Sequence, residues 1–296
     1  MTPAHLSPPP VEPPVAVGRL VLLGHPVAHS LSPAFQNAAL RTAAIPLRYE
    51  ALDVPPAALE AVLDALVDER AAGNATVPHK EAVFARCERR TAVAARVGAV
   101  NTFWCALDGT LWGDNTDVAG VDAAVGALVG GRVPASPVVA LLGAGGSAAA
   151  VLAAAERWSG AEVRVWSRSP ARARSLAERF PAVARAVATP AAALVDATLV
   201  VNATPLGIAP TDPFPVEPAA VPPAATVLDL VYRPGETAWV RAMRAAGHPA
   251  ADGLKMLVAQ GAAAFERWFG LAPDAEAMWA ALGGRPDGAA DTVRAV

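Results

Sequence analysis

The chain has 296 residues, enough for two ordinary domains, each with its own buried core. Its net charge of −3 excludes the basic surface that a nucleic-acid partner requires. Although 54% of it is hydrophobic, no 18-residue run lacks charged or breaking residues, so no membrane span is expected.

Residues 1–17 are proline-rich, lack the basic and apolar regions of a signal peptide and are expected to be a disordered tail, and residues 283–296 are expected to be similarly loose. Gly18–Gly24 predicts a short buried strand, followed by a helix with Ser32 as N-cap and Pro33 at the first helical position. Residues 47–54 predict a second strand, and the apolar spacing of Leu59, Val62, Leu63, Leu66 and Val67 predicts a helix over 56–70. Residues 73–77 are short enough to be a buried strand, closed by Pro78. Residues 100–107 and 110–112 flank Asp108-Gly109, a hairpin signal. Cys87 and Cys105 are too few for a disulfide framework or a metal cluster and are expected to be buried apolar residues in a reducing compartment.

A second pattern follows Gly130-Gly131. The apolar strand Val138–Leu142 runs through Gly143-Ala144-Gly145-Gly146-Ser147-Ala148 into an alanine-rich helix. A strand over 162–166 precedes a helix capped by Ser169-Pro170. Strands over 199–202 and 227–231, and helices over 237–246, 254–269 and 273–282, complete the chain. This alternation predicts an α/β fold with parallel strands covered on both faces.

Gly143-x-Gly145-x-x-Ala148 stands between a buried strand and a helix, the context a dinucleotide site requires. Gly143 allows the tight turn, Gly145 lets a pyrophosphate approach the backbone, and Ala148 permits close helix packing. The helix N-terminus offers unpaired N–H groups to the phosphates. At the end of the next strand an NAD site would place Asp or Glu. This chain has Trp166-Ser167-Arg168-Ser169-Pro170-Ala171-Arg172, whose arginines suit a 2′-phosphate, so NADP is the expected cofactor. A solvated basic helix start is the plainer reading of the same residues.

Of 24 lysines and arginines, only Lys80 and Lys255 are lysines. A desolvated lysine can give up and regain a proton, which arginine does not. Lys80 closes Asn74-Ala75-Thr76-Val77-Pro78-His79-Lys80, at the end of a strand. His25, His29 and His79 show no metal-ligand spacing, and no metal is expected.

Eight segments, in order, resemble the shikimate dehydrogenase family over roughly residues 18–282. They are His29–Pro33, Asn74–Lys80, Gly98–Thr102, Gly113–Asp117, Gly143–Gly146, Asn202–Gly207, Asp229–Tyr232 and Asp252–Gln260. The resemblance implies two α/β domains with the active site in the cleft between them. Residues 18–117, completed by helices in 252–282, would bind substrate, and a Rossmann-type domain over 118–251 would bind NADP. Ser30 and Ser32 would hold the substrate carboxylate, with Tyr232 close by. Thr76, Asn101, Asp117 and Gln260 would bond the ring hydroxyls, and Lys80 and Asp117 would flank the hydroxyl being oxidised. Cofactor contacts would come from Gly143, Ala144, Gly145, Gly146, Ser147, Ser167, Arg168, Ser169, Arg172, Thr204, Leu230 and Gly253.

Plainer roles exist for several of these residues. Ser32 serves as an N-cap, Asn101 and Asn115-Thr116 as turn residues, and Asp117 as the cap of a helix reaching Leu128. The chain departs from the family pattern at Ala75, expected to be nearly silent in the core, and at Ile208, a volume-conserving change. It departs also at Lys255, expected at a cleft edge or the surface, and at Val118, expected to alter domain closure or the cleft rim.

The implied activity is NADPH-dependent reduction of 3-dehydroshikimate to shikimate by a cytoplasmic monomer or homodimer whose partner is its small-molecule substrate. A paralogue acting on quinate or a related cyclic hydroxy acid, and a non-catalytic NADP(H)-binding sensor, are the alternatives. Quinate-using members often carry Thr at the second serine and an acid in the NAD position, against which Ser32 and Ser167-Arg168 speak. A sensor has no need of Lys80 with Asp117.

Overall fold

The computed structural model describes residues 17–233 and 235–284; the two expected tails lie outside these residues apart from their inner ends. Two compact units form. The first takes the described chain up to Thr91, Asn101–Asp114 and the described residues from Gly261 onward, and the second takes Ala92–Val100 and Asn115–Gln260.

In chain order the first unit contains β1 (Arg19–Gly24), α1 (Ser32–Thr42), β2 (Tyr49–Asp53), α2 (Leu59–Asp68), β3 (Ala71–Ala75), α3 (Lys80–Arg86) and β4 (Arg89–Arg90). The chain then gives α4 (Ala92–Val97) to the second unit before β5 (Thr102–Cys105) and β6 (Leu111–Asp114) return to the first. The sheet order is β2-β1-β3-β5-β6-β4. β1 runs parallel to β2 and β3, whereas β5 is antiparallel to both β3 and β6. This sheet is therefore mixed, because the Asp108-Gly109 turn is too short for the crossover that parallel neighbours need. Gly109 sits at φ 84°, and the Asp108 carboxylate accepts the Thr110 N–H at 2.9 Å.

Ser32 is not the N-cap of α1. Leu31 holds that position without a side-chain capping bond, and Ser32 is the first helical residue. The reason lies one step upstream: the Ser30 hydroxyl accepts the Ser32 N–H at 3.2 Å, so an orphan donor of the helix start is met from outside the helix. The core of this unit is aromatic, with Phe35, Tyr49, Phe103, Trp104 and Trp268 almost wholly buried. Burial pushes the Cys87 thiol up to about 12 and the Cys105 thiol up to about 11, so both act as small apolar residues at neutral pH.

The second unit continues with α5 (Asp117–Leu128), β7 (Val138–Leu142), α6 (Gly146–Ala155), β8 (Glu162–Trp166), α7 (Pro170–Arg179), β9 (Ala184–Ala186), α8 (Pro190–Leu194) and β10 (Leu199–Asn202). Then come β11 (Thr226–Asp229), α9 (Ala238–Ala245), β12 (Ala250–Ala251) and α10 (Leu254–Phe269), which passes into the first unit after Gln260; α11 (Ala275–Ala280) follows there. All strand pairs are parallel, in the order β12-β11-β10-β7-β8-β9. Val139 and Leu141 enter one apolar cluster with Val151 and Val121, while Ala140 and Leu142 enter another with Leu194 and Trp239. Both faces are covered, which is what an unbroken apolar strand predicts. Val118 corrects an expectation: it is 3% exposed within the first of these clusters, not on a rim, because it sits on the buried face of α5.

Arg96 helps to fix the short α4 to this unit, beside the buried Val97. Arg96 Nε donates to Glu156 Oε2 at 2.9 Å, its Nη1 donates to the Arg179 carbonyl at 2.7 Å, and its guanidinium lies 3.9 Å over the Phe180 ring. Replacing Arg96 by Ala is expected to lower stability by about 1–2 kcal/mol, with Lys recovering little because it cannot both stack and fork. Urea denaturation of the three proteins checks this, and an Arg96→Lys protein as stable as the parent would contradict it.

Candidate active site

Polar residues of the first unit gather at the C-terminal ends of β1 and β3. The loop after β1 carries Ser30 and leads into α1 at Ser32; the loop after β3 carries Thr76 and leads into α3 at Lys80. The His25 N–H donates to the Val77 carbonyl at 3.1 Å, and Thr76 N–H to the Leu23 carbonyl at 2.8 Å, so the two loops abut. Ser32 is buried, while Ser30, Thr76 and Lys80 are half-buried. Asn101, 2% exposed, is anchored at every backbone group: its carbonyl accepts from Asn74 Nδ2 and the Ala75 N–H, both at 2.9 Å, and its N–H donates to Asp114 O at 3.1 Å. That anchoring goes well beyond a turn residue.

Asp117, Tyr232 and Gln260 belong to the second unit. Thr116 is the N-cap of α5, and Asp117 is its first residue, where a carboxylate favours the positive end of the helix. The expectation that Asp117 caps this helix is thus displaced by one residue. Asn115 is likewise no simple turn residue: buried, it donates from Nδ2 to the Ala99 carbonyl at 2.9 Å. Gln260 folds its Nε2 back to the Leu257 carbonyl at 2.8 Å. Tyr232 is half-buried just beyond β11.

The glycine-rich turn lies where the strand order of the second sheet reverses, between β7 and β10. Gly143 has φ 124°, and a Cβ there would stand 2.6 Å from the Ala203 carbonyl oxygen, so only glycine allows these two strand ends to approach. At Gly145 an added Cβ would meet nothing within 4 Å; the backbone is open where a phosphate would approach it. Ala144, Gly146 and Ser147 are half-buried around the start of α6, whose first turn holds no acidic residue. Ser169 caps α7 by accepting the Arg172 N–H, Ser167 Oγ accepts the Ser169 N–H at 3.3 Å, and Arg168 and Arg172 are exposed. Leu230 and Gly253 touch: a Cβ on Gly253 would collide with the Leu230 carbonyl. Among the described residues no His, Cys, Asp and Glu group is placed to hold a metal ion, and no helix is long and apolar enough to cross a membrane.

Residues 22–103 match the shikimate dehydrogenase substrate binding domain, and residues 253–282 the shikimate 5′-dehydrogenase C-terminal domain. Shikimate dehydrogenase (NADP(+)) of Methylobacterium radiotolerans is 42% identical over 264 residues, covering 88% of this chain and 94% of that protein. The chain belongs to the shikimate dehydrogenase family. The crystal structure of shikimate 5-dehydrogenase from Thermus thermophilus in complex with NADP(H) and shikimate matches with a TM-score of 0.80 at 40% identity, over 90% of this chain and 98% of that one. Quinate dehydrogenase from Corynebacterium glutamicum in complex with NAD matches with a TM-score of 0.79 at 28% identity, over 88% and 97%.

One group of family-motif residues has a role that spacing alone does not reveal. Asn202 and Asp229 pair across the ends of β10 and β11. Asp229, fully buried, accepts from Asn202 Nδ2 at 2.8 Å, Thr237 Oγ1 at 2.8 Å and the Val231 N–H at 3.1 Å. Asn202 Oδ1 in turn accepts from Thr204 Oγ1 at 2.6 Å and the Thr204 N–H at 3.0 Å. The relay fixes the loop carrying Thr204. The available signal was a polar residue ending each of two otherwise apolar strands, at the edge where α/β sheets bind ligands.

Burial pushes the Asp229 carboxyl from 3.8 up to about 6, against the hydrogen bonds from Thr237, Asn202 and Val231, with the Asp252 charge adding to the rise. A folded value above the unfolded one means that Asp229 contributes stability below about pH 4 that is lost as pH rises through 6. Asparagine keeps an oxygen for Asn202 and Val231 and carries no charge. From pH 4 to pH 7, Asp229→Asn is therefore expected to gain on the parent, by about 3 kcal/mol at most. Urea midpoints at several pH values test this, and a stability difference independent of pH would refute it.

Proposed function

We propose that this chain is an NADP-dependent shikimate dehydrogenase that reversibly reduces 3-dehydroshikimate to shikimate in aromatic amino-acid biosynthesis. The observation that carries the reading is the 42% identity to an NADP-dependent shikimate dehydrogenase over 88% of the chain. The residues present suit the cofactor. Gly145 leaves the backbone open at the start of α6, and β8 ends at Trp166 and runs into Ser167-Arg168, without a carboxylate to claim a ribose 2′-hydroxyl. Arg168 and Arg172 would hold the 2′-phosphate. The backbone from Gly143 to Ser147 would hold the pyrophosphate, and Ser167, Ser169, Thr204, Leu230 and Gly253 would line the remainder. When bound, NADP(H) supplies or accepts the hydride.

The chain's own residues handle the substrate and the proton. Ser30 and Ser32 take the carboxylate with their hydroxyls, assisted by Tyr232. The Ser32 hydroxyl makes no capping bond in α1, which removes its plainer role and supports this one. Thr76, Asn101, Asp117 and Gln260 bond the ring hydroxyls, and a substrate lacking one of them would leave buried polar groups unpaired. In the direction of reduction, the Lys80 ammonium gives a proton to the carbonyl oxygen as the adjacent carbon gains hydride. In oxidation the neutral amine takes it back, with Asp117 orienting the hydroxyl. Residues 18–117 with 252–282 would form the substrate domain and 118–251 the NADP domain, in a cytoplasmic monomer or homodimer.

Initial rates with shikimate and quinate, each with NADP and NAD, test the assignment; a preference for quinate with NAD would sink it. Lys80→Ala and Asp117→Asn are expected to lower kcat by about 10²- to 10⁴-fold, and undiminished turnover in either would remove that residue from the chemistry. Arg168→Ala is expected to raise the KM for NADP about ten-fold while leaving that for NAD unchanged.

A further inference from the structure

We propose that Gly120 is a positioning residue: the close crossing of α5 and α10 at Gly120 sets the placement of Asp117 and Gln260, and thereby the grip on the substrate's ring hydroxyls. The inference rests on the roles given above to Asp117 and Gln260. A Cβ on Gly120 would stand 2.8 Å from the Met256 carbonyl oxygen, 2.9 Å from Met256 Cγ and 3.0 Å from Gln260 Cβ. Asp117 lies three residues before Gly120, and Gln260 four residues after Met256, so each shares a helix face with the crossing point. The two side chains thus lie beside this contact between their helices.

Neither helix can turn aside to admit a larger residue. Val118, Val121 and Val125 pin α5 into the apolar cluster under the sheet, and Met256 pins α10 into the same cluster. Gln260 cannot compensate by reaching, because its amide is tied back to the Leu257 carbonyl of its own helix. Its position therefore follows the α10 backbone. Helix propensity alone favours Ala over Gly at an interior helical position by about 1 kcal/mol, so a glycine here serves the crossing and not the helix. A methyl group at this point can swing Met256 Cγ away, but the carbonyl and Gln260 Cβ move only if α10 moves.

The test is steady-state kinetics of the full chain carrying Gly120→Ala, beside Gln260→Ala and Asp117→Asn. The expected result is a rise in the KM for shikimate and a fall in kcat/KM of about ten-fold or more, with the KM for NADP unchanged and a cooperative melt retained. Unchanged shikimate kinetics in Gly120→Ala, while Gln260→Ala is impaired, would overturn the positioning role and leave the site reading intact. An equal rise in the KM for NADP would also overturn it, since a general distortion does not distinguish substrates. If Gln260→Ala and Asp117→Asn are both silent, the site reading itself fails and the inference with it. Should Gly120→Ala not fold, the double variant Gly120→Ala/Met256→Ala removes one contact and keeps the carbonyl clash. The same shikimate-only rise is then expected, and a parental KM for shikimate overturns the proposal.

Discussion

Strands β7, β10 and β11 are buried on both faces, and that burial dictates where polar chemistry can stand. A side chain along such a strand has apolar neighbours above and below, so an unpaired polar group there would carry its full desolvation penalty. Only the strand ends escape. In the second unit the C-terminal ends of these strands carry Gly143, Asn202 and Asp229 in turn. In the first unit, β1 and β3 deliver Ser30, Thr76 and Lys80 from the same kind of edge. The placement of every candidate group beyond a strand follows from this one constraint.

Asp229 marks the boundary of what the constraint tolerates. A fully buried carboxylate is opposed by desolvation, and three converging donors offset part of that cost. The balance leaves a group that titrates near the acidic edge of the physiological range. Its hydrogen bonds pass through Asn202 to the backbone and hydroxyl of Thr204, so a polar network at the sheet's end substitutes for the packing that loops lack.

The apolar strands, the glycine-rich turn and helix α2 were legible because each has a local cause: unbroken hydrophobicity, a required backbone shape, or a repeated 3.6 spacing. Val138–Leu142, Glu162–Trp166 and Leu254–Phe269 were delimited to the residue. The short elements α3, α4, α8, β4, β9 and β12 lack any period, because two to seven residues cannot complete one. For Ser32 and Asp117 the expected cap falls one residue later than the observed one, at Leu31 and Thr116. A serine or aspartate near a helix start marks its place only to within a residue, and only the fold chooses the cap. Val118 is absent from the expected rim for a related reason: a residue's place along the chain next to the candidate Asp117 says nothing about which helix face it occupies. Gly120 depends on contacts distant in sequence, with α10, and left no local trace beyond its identity; the partners of Asp229 on β10 were equally distant, though its place at the end of an apolar strand was visible.

The segment Ala92–Val100 lies in sequence between strands of the first unit yet packs with the second, tied there by Arg96. Neither unit is therefore a continuous stretch of chain. A fragment cut from Asn115 to Gln260 would lack α4, and with it the Arg96 guanidinium that lies over Phe180 and pairs with Glu156. Such a protein resists gene fission and domain shuffling at the obvious seam. An exchange that grafts a different second unit onto this first unit must carry the nine residues Ala92–Val100 from inside the recipient's own sequence.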